Sequence, residues 1–204
     1  MINLTELIFI LDKSGSMRGL EGDTIKGFNS LIKKQKKKDG ESLITLVFFN
    51  EEIEVIKNRI SIGEIKNLST KDFLPSGCTA LLDTLGYVIN HFVNVYKNLD
   101  AENKLKNILF VITTDGLENS STKFSYSQIK RLINKTKKEY NFHYLFLGAN
   151  IDSELEAKKL GIGSQYSATY INNSDGIKLN YKILNESINA FRIKRKIDNH
   201  GKTT

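Results

Sequence analysis

Short apolar runs alternate along the chain with longer segments in which apolar residues recur every three or four positions. Runs of the first kind are typical of buried strands, and segments of the second kind are typical of helices that pack on one face. The pattern predicts strands at residues 7–12, 42–50, 52–56, 106–116, 142–150 and 166–170. It predicts helices at 24–38, 61–68, 127–140, 152–160 and 175–192, and a loop that leads into a long helix within 74–96.

The connections between these elements indicate how the strands are arranged. Strands 42–50 and 52–56 are separated by a very short turn, so we expect them to form an antiparallel hairpin. Strand 106–116 is apolar on both faces, as in a parallel sheet covered by helices on both sides. Asp23 is predicted to be the N-cap of the first helix.

The alternation of strands and helices predicts a doubly wound, Rossmann-like α/β fold. We expect a three-layer sandwich in which the central sheet is mostly parallel and has one antiparallel strand. No domain break is visible in the pattern. We therefore expect a single domain over residues 1–193, followed by a basic, flexible tail over 194–204.

Composition narrows the class of protein. Hydrophobic residues make up 40% of the 204 residues and charged residues 26%, which is enough for a packed core. The formal net charge of +7 comes largely from lysine runs such as 33–38, but no aromatic residues alternate with them, so we do not expect a nucleic-acid partner. Cys78 is the one cysteine, which fits a reducing compartment. No apolar stretch reaches the length of a membrane span, and we expect a soluble, cytoplasmic protein.

Oxygen-bearing side chains stand where two strands end and where one helix begins. We name these segments the first loop (12–16, Asp-Lys-Ser-Gly-Ser), the second loop (76–79, Ser-Gly-Cys-Thr) and the third loop (113–116, Thr-Thr-Asp-Gly). In doubly wound sheets, ligands bind beyond the carboxyl ends of the strands, where the strand order reverses. If the first strand and strand 106–116 are neighbours, the three loops converge on one spot.

The side chains of these loops suit a hard divalent cation. Two carboxylates and three hydroxyls are donors that Mg²⁺, Mn²⁺ and Ca²⁺ accept, and Mg²⁺ is our first expectation. The first loop alone is better explained as a turn whose hydroxyls satisfy backbone amides. The combination of all three loops favours a metal site, with these candidate ligands: Asp12, Ser14, Ser16, Thr79 and Asp115.

This constellation resembles the metal ion-dependent adhesion site of von Willebrand factor A domains. The resemblance rests on FILDKSGSM after a strand, SGCTALLDTL opening a helix, and ITTDGLENS ending a strand. It implies that Ser14, Ser16 and Thr79 are hydroxyl ligands, with Thr79 bound directly or through water, and that Asp12 and Asp115 bind through water. It also implies that the sixth position takes an acidic side chain of a partner. The stretch ITTDGLENSS further resembles a bacterial and phage subgroup of intracellular members.

Three functions are consistent with the sequence. The first is a protein-binding module, not an enzyme, that grips an aspartate or glutamate of a partner through the cation. By family resemblance, that partner would be an ATPase or a stress-response assembly. The second is a metal-dependent phosphotransferase or phosphatase that uses Asp12 as nucleophile. The third is a flavodoxin-like domain whose Ser14-Gly-Ser16 amides bind FMN or phosphate.

Four neighbouring polar residues receive more ordinary interpretations. Glu118 and Asn119 are expected to be turn residues, and Asp83 is expected to cap or pair locally. Lys13 either points its positive charge toward the site or faces solvent.

Overall fold

The computed structural model describes residues 4–99 and 107–200, and of 194–200 it describes only the backbone. Within this part of the chain the strands are β1 (Thr5–Asp12), β2 (Ser42–Phe49), β3 (Ile53–Ser61), β4 (Asn107–Thr114), β5 (Phe142–Ala149) and β6 (Ser167–Tyr170). They form one sheet in the order β3-β2-β1-β4-β5-β6. Only β2 and β3 pair in antiparallel fashion, and every other pair is parallel. The predicted doubly wound sheet with one antiparallel strand is confirmed.

Helices cover both faces of this sheet. They are α1 (Glu21–Gln35), α2 (Leu81–Lys97), α3 (Tyr126–Tyr140), α4 (Ser153–Lys159) and α5 (Ser174–His200). Residues of α1 and α5 share one buried cluster with the sheet, and residues of α2, α3 and α4 share the other. None of the helices in the described residues is long and apolar enough to cross a membrane. Helix α5 continues past residue 193, where we predicted the tail to begin, and residues 201–204 lie outside the described part of the chain.

The alternation of side chains along β1 determines the face of the sheet on which the candidate site lies. Leu7 and Phe9 pack in the cluster on the α1/α5 face, whereas Ile8 and Ile10 pack on the α2/α3 face. Since successive side chains of a strand point to opposite faces, Asp12 continues the row of Ile8 and Ile10. The even-numbered residues of β4 lie on that same face. The last side chains of β1 and β4 are thereby brought together on the α2 side of the sheet.

Arg192 connects α5 to the end of α1, on the same face of the sheet, and to the loop that follows α1. Its guanidinium donates to the backbone oxygen and to Oε1 of Gln35, at 3.1 and 2.9 Å. It also donates to the carbonyls of Asp39 and Gly40, at 3.0 and 2.9 Å. These four bonds hold the last helix against the connection between α1 and β2.

Two local predictions were wrong. Helix α1 begins at Glu21 with Leu20 in the N-cap position, so Asp23 lies in the first turn, where its charge still suits the positive end of the helix dipole. The segment 61–68 does not form the predicted helix. Strand β3 runs as far as Ser61 because β2 supplies its backbone partners, and only the short 3-10 turn Ile62–Glu64 follows.

Candidate metal centre

The three loops meet at the carboxyl ends of β1 and β4, which are parallel neighbours. Backbone hydrogen bonds join the first loop to the second. Gly15 donates its N–H to the carbonyl of Gly77 at 3.0 Å, and Ser76 donates to the carbonyl of Lys13 at 2.9 Å. The convergence expected from the sequence is therefore present in the backbone.

The second loop is also fixed from its other side. Thr79 donates its N–H to Oδ1 of Asn119 at 2.8 Å, and Asn119 donates its own N–H back to the carbonyl of Thr79 at 3.1 Å. Asn50, which follows β2, donates its side-chain amide to the carbonyl of Ser76 at 2.9 Å, and its backbone carbonyl accepts the N–H of Ala80 at 2.8 Å. These hydrogen bonds hold the backbone of Thr79 in place, so its hydroxyl is not needed to position the residue.

Three of the candidate oxygens form a triangle. The Ser14 and Ser16 hydroxyl oxygens are 3.1 Å apart, and Ser16 Oγ donates to Asp115 Oδ1 at 2.7 Å. The third edge, from Ser14 Oγ to Asp115 Oδ1, is 3.5 Å. Adjacent oxygens around an octahedral Mg²⁺ at about 2.0–2.1 Å lie about 2.9 Å apart. The two serine hydroxyls therefore have roughly the spacing of adjacent ligands of a small cation, and Asp115 Oδ1 lies within hydrogen-bond reach of both.

Asp12 is buried beside this triangle and is 3% exposed. Its Oδ1 accepts the N–H of Ser14 at 2.7 Å, and its Oδ2 accepts the hydroxyl of Thr114 at 2.6 Å. Burial raises the pKa of Asp12 to about 6; these hydrogen bonds act in the opposite direction, and the negative charge of Asp115 adds to the rise. The carboxylate is oriented by the protein and is still poorly stabilised as an anion, a combination that a nearby cation would correct.

Thr79 faces the same point from the second loop, and it is 2% exposed. Its Oγ1 lies 3.2 Å from the position that a Cβ on Gly116 would occupy, and Ser16 Oγ lies 3.9 Å from that position. The hydroxyls of Thr79 and Ser16 therefore border one small space, which is open because residue 116 has no side chain.

Asn172 is a site residue that the sequence reasoning missed. It follows β6, and its Nδ2 donates to Asp115 Oδ2 at 2.7 Å and to the carbonyl of Ser16 at 3.4 Å. Its own backbone N–H donates to Asn150 Oδ1 at 3.0 Å. Oδ1 of Asn172 is buried without a hydrogen-bond partner among the described residues. Asp115 is consequently held from two sides, by Ser16 and by Asn172. Burial nevertheless raises the pKa of its carboxyl.

In the described part of the chain, no basic side chain compensates these two carboxylates. Among the described residues, neither Asp12 nor Asp115 forms an ion pair with a lysine or an arginine. Lys13, which we expected to point toward the site or to face solvent, is paired with Glu54 on β3. These two buried carboxylates, which have no basic partner among the described residues, carry two negative charges. One divalent cation would balance them.

The other carboxylates near the loops have local partners. Glu118 accepts from the N–H of Leu82, in the first turn of α2, and from the N–H and hydroxyl of Ser121. Asp83 accepts three backbone N–H groups from residues 122–124. Hydrogen bonds from those N–H groups lower the pKa of Asp83, although desolvation opposes them. Both residues stabilise the loop that follows the site, as expected from the sequence.

The donor set fits a hard cation and does not fit a thiophilic one. No cluster of three or more His, Cys, Asp or Glu side chains in the described residues could hold a metal. Any cation bound here therefore depends on hydroxyl oxygens, and hydroxyls leave more of its positive charge uncompensated than carboxylates do. Cys78 lies next to Thr79 but is exposed. The structure thus brings all five predicted residues to one spot, with Asn172 as a sixth.

Several solved structures share this fold. Proximal thread matrix protein 1 (PTMP1) from the mussel byssus superposes with a TM-score of 0.65 at 14% identity, over 89% of this chain and 47% of that one. A von Willebrand factor type A protein from Catenulispora acidiphila gives 0.62 at 16% identity, over 90% and 42%. The ArnB paralog VWA2 from Sulfolobus acidocaldarius gives 0.57 at 18% identity, over 88% and 44%. A further PTMP1 structure, with a TM-score of 0.64 at 15% identity, has a zinc-occupied metal ion-dependent adhesion site (MIDAS) motif.

These similarities concern the fold. The chain spans less than half the length of each of these proteins, and the identities are low. No protein-family model matches the chain, and no curated protein does. The chain has the Rossmann-like α/β fold of von Willebrand factor A domains.

Proposed function

We propose that this protein is a metal-dependent binding module that grips an acidic side chain of a partner protein through a divalent cation. Ser14, Ser16 and Thr79 would contribute hydroxyl oxygens to the cation. Asp12 and Asp115 would hold its water ligands and balance its charge. The cation would supply Lewis acidity toward a carboxylate of the partner.

One observation carries this proposal: hydroxyl and carboxylate oxygens of the first and third loops lie within hydrogen-bond distance of one another at the carboxyl edge of the sheet, and the Thr79 hydroxyl of the second loop borders the same small space. The PTMP1 structure with zinc in its MIDAS motif supports it, because that protein has the same fold. The hydrogen-bond pattern supports it as well. Ser16 can offer a lone pair to a cation while its proton remains donated to Asp115.

The resemblance noted in the sequence adds finer expectations. We propose Mg²⁺ as the resident cation, because the donors are oxygens and Mg²⁺ retains waters that Asp12 and Asp115 can hold. We also propose a cytoplasmic bacterial or phage accessory protein, acting beside an ATPase or a stress-response assembly.

We propose no catalytic role for Asp12. A nucleophile must be within reach of its substrate, and this carboxylate is buried. The flavodoxin-like alternative is weak as well. Five backbone N–H groups of the first loop and its flanks donate within the protein and are not available to a phosphate, namely those of Lys13, Ser14, Gly15, Met17 and Arg18.

Calorimetric titration with Mg²⁺, Mn²⁺ and Ca²⁺ tests the cation site. We expect one site per chain, and we expect Ser14→Ala to lower the affinity at least tenfold, about 1.4 kcal/mol. Ser30→Ala, an exposed serine of α1, is the matched control and should leave the affinity unchanged. Equal affinities for the wild type and for Ser14→Ala would refute the site.

Partner binding needs its own experiment. The tagged protein is incubated with lysate in Mg²⁺ or in EDTA, and the captured proteins are compared with those captured by Asp115→Ala in Mg²⁺. Captured partners should be released by EDTA and absent from the variant. For each captured partner, replacing its acidic contact residue by the amide should abolish binding. Binding that survives EDTA would contradict the mechanism even if the cation site is real.

A further inference from the structure

Three large aliphatic side chains are exposed to solvent beside the candidate metal centre. They are Leu74, Leu117 and Ile171, which are 67%, 55% and 66% exposed, and we call them the apolar rim. Together with Ile193 they are the four most exposed large hydrophobic side chains among the described residues. A single exposed leucine needs no explanation, whereas several exposed apolar side chains at one site mark a surface that binds another molecule.

Each residue of the apolar rim is close along the chain to a segment of the metal centre. Leu117 stands two positions after Asp115, Ile171 directly precedes Asn172, and Leu74 stands two positions before the second loop begins. Because consecutive Cα atoms are about 3.8 Å apart, each of these Cα atoms lies within about 8 Å of the Cα of its neighbour in the site. The apolar rim therefore borders the metal centre from three segments that are distant in sequence.

The backbone beside each of these side chains is fixed. Leu74 follows Phe73, which is completely buried. The carbonyl of Ile171 accepts the N–H of Asn173 at 2.8 Å. The remaining leucine precedes Glu118, whose carboxylate accepts hydrogen bonds from the first turn of α2 and from its own loop. The apolar side chains are thereby held in solvent by an anchored backbone, so covering them costs less conformational entropy than covering a loose loop.

A protein that docks on the cation would cover the whole apolar rim. Ser16 is exposed, so the metal centre opens to the surface at the first loop. A protein interface of ordinary size takes about 800 Å² from each partner, which is a disc of about 16 Å radius. Such a disc, centred on the metal centre, is large enough to include segments 74–76, 115–117 and 171–172.

The charged side chains that contact the first and second loops in the described residues are balanced in sign. Arg18 is exposed and donates to the carbonyl just before the second loop at 3.4 Å, whereas the carboxylate of Glu51 packs against Gly77. Lys13 of the first loop is paired with Glu54. The surface there offers no excess of positive charge apart from the cation. A partner with many acidic residues would gain little from it beyond one carboxylate.

We propose that the partner presents its acidic residue between aliphatic residues, which pack against the apolar rim. This inference rests on the proposed function, since the cation supplies the contact for the carboxylate. The aliphatic side chains would add affinity to the single contact between ion and carboxylate. A segment with acidic residues on both sides of the carboxylate would place charges against Leu74, Leu117 and Ile171 and would bind more weakly.

Fluorescence anisotropy with four labelled nine-residue peptides tests the inference. Three peptides have a central glutamate with two leucines, two serines or two further glutamates on each side, and all have the same glycine and serine ends. The fourth has a central glutamine between leucines. In Mg²⁺, we expect the leucine-flanked glutamate peptide to bind about tenfold or more tightly than each of the others. EDTA should weaken its binding about tenfold or more.

Matched variants locate the apolar contacts. Leu117→Ser and Ile171→Ser should each weaken the leucine-flanked glutamate peptide about threefold or more, and the triple variant that adds Leu74→Ser should weaken it about tenfold or more. Calorimetry without peptide should show Mg²⁺ affinities within about twofold of the wild type. Ile193→Ser is the control, because it changes a side chain that is 61% exposed about 28 Å along α5 from Ser174, and it should leave peptide binding unchanged.

Failure of this inference can be distinguished from failure of the proposed function. Equal binding of the leucine-, serine- and glutamate-flanked peptides in Mg²⁺, with release by EDTA, would refute the apolar rim and leave the cation mechanism standing. Equal binding of the glutamate and glutamine peptides, unaffected by EDTA, would refute the proposed function and this inference with it. Full binding by the triple serine variant, or no binding of the leucine-flanked glutamate peptide up to about 1 mM, would overturn the inference alone.

Discussion

Replacing Asp12 with asparagine removes one buried negative charge and keeps the size of the side chain. The pKa of Asp12 is raised from 3.8 to about 6 in the folded protein, and this rise of about 2 units corresponds to about 3 kcal/mol. The folded state therefore binds this proton more tightly than the unfolded state does. In EDTA, the free energy of unfolding of the wild type should fall as pH rises from about 4 to about 6 and then level off.

Asparagine can preserve most of the local hydrogen bonding. Its Oδ1 can still accept from the N–H of Ser14. Thr114 Oγ1 can donate instead to the carbonyl of Gly116, 3.0 Å away, and accept from the new amide. Allowing about 1 kcal/mol for weaker bonds, we expect Asp12→Asn to be more stable than the wild type by about 2 kcal/mol at pH 7.5 in EDTA, and less stable by about 0.5 kcal/mol at pH 4, where the unfolded chain is already partly ionised. The melting temperature at pH 7.5 should rise by about 4–8 °C.

Urea unfolding of both proteins at pH 4, 5, 6 and 7.5 in EDTA measures this crossover. Glu139→Gln, an exposed carboxylate on α3 that lies 4.0 Å from Lys135, is the control and should change stability by about 0.5 kcal/mol or less. Mg²⁺ at a hundred times its dissociation constant should add about 2.7 kcal/mol to the wild type and little to the variant. A difference between wild type and Asp12→Asn that is the same at pH 4 and pH 7.5 in EDTA would refute the argument that burial penalises this carboxylate.

Three further substitutions test other features of the structure. Gly116→Ala places a methyl group 3.2 Å from the hydroxyl of Thr79, and calorimetry should show Mg²⁺ affinity lowered about tenfold with the circular dichroism spectrum unchanged; full affinity would mean that this space is not used. Asn172→Ala removes an amide that donates to Asp115 and should lower Mg²⁺ affinity about three- to tenfold, whereas an unchanged affinity would exclude a positioning role. Arg192→Met leaves four acceptors without their donor and should lower the free energy of unfolding in urea by about 3 kcal/mol. Its Mg²⁺ affinity should equal that of the wild type, and a loss there would connect α5 to the metal centre.

The sequence was sufficient for the fold and for the meeting of the three loops. Apolar runs reveal strands whether or not their partners are known, and the carboxyl ends of parallel strands lie on one edge of the sheet. The hydrogen bond between Thr114 and Asp12 could not be predicted from the sequence. It depends on the register that sets Leu11 beside Thr113, and register is fixed by packing across the sheet.

Asn172 was missed because its signal is weak. It lies 57 residues after Asp115, within INNS, which has the composition of an ordinary turn. The one available clue was that it follows a strand, as Asp12 does, but that strand has only four residues. The missing helix at 61–68 has another cause. Pairing of β3 with β2 extends as far as Ser61 and overrides the local propensity at the start of this segment.

The position of β1 has a consequence for how the proposed cation site would transmit a pulling force. Strand β1 pairs with a neighbouring strand on both sides along nearly its whole length. It pairs with β2 from Thr5 to Asp12 and with β4 from Thr5 to Leu11. Tension applied through a bound carboxylate would pass from the first loop straight into β1, along the strand axis. The hydrogen bonds to both neighbouring strands would then be loaded in shear and would have to break together instead of one after another. This is the direction in which a sheet is hardest to pull apart.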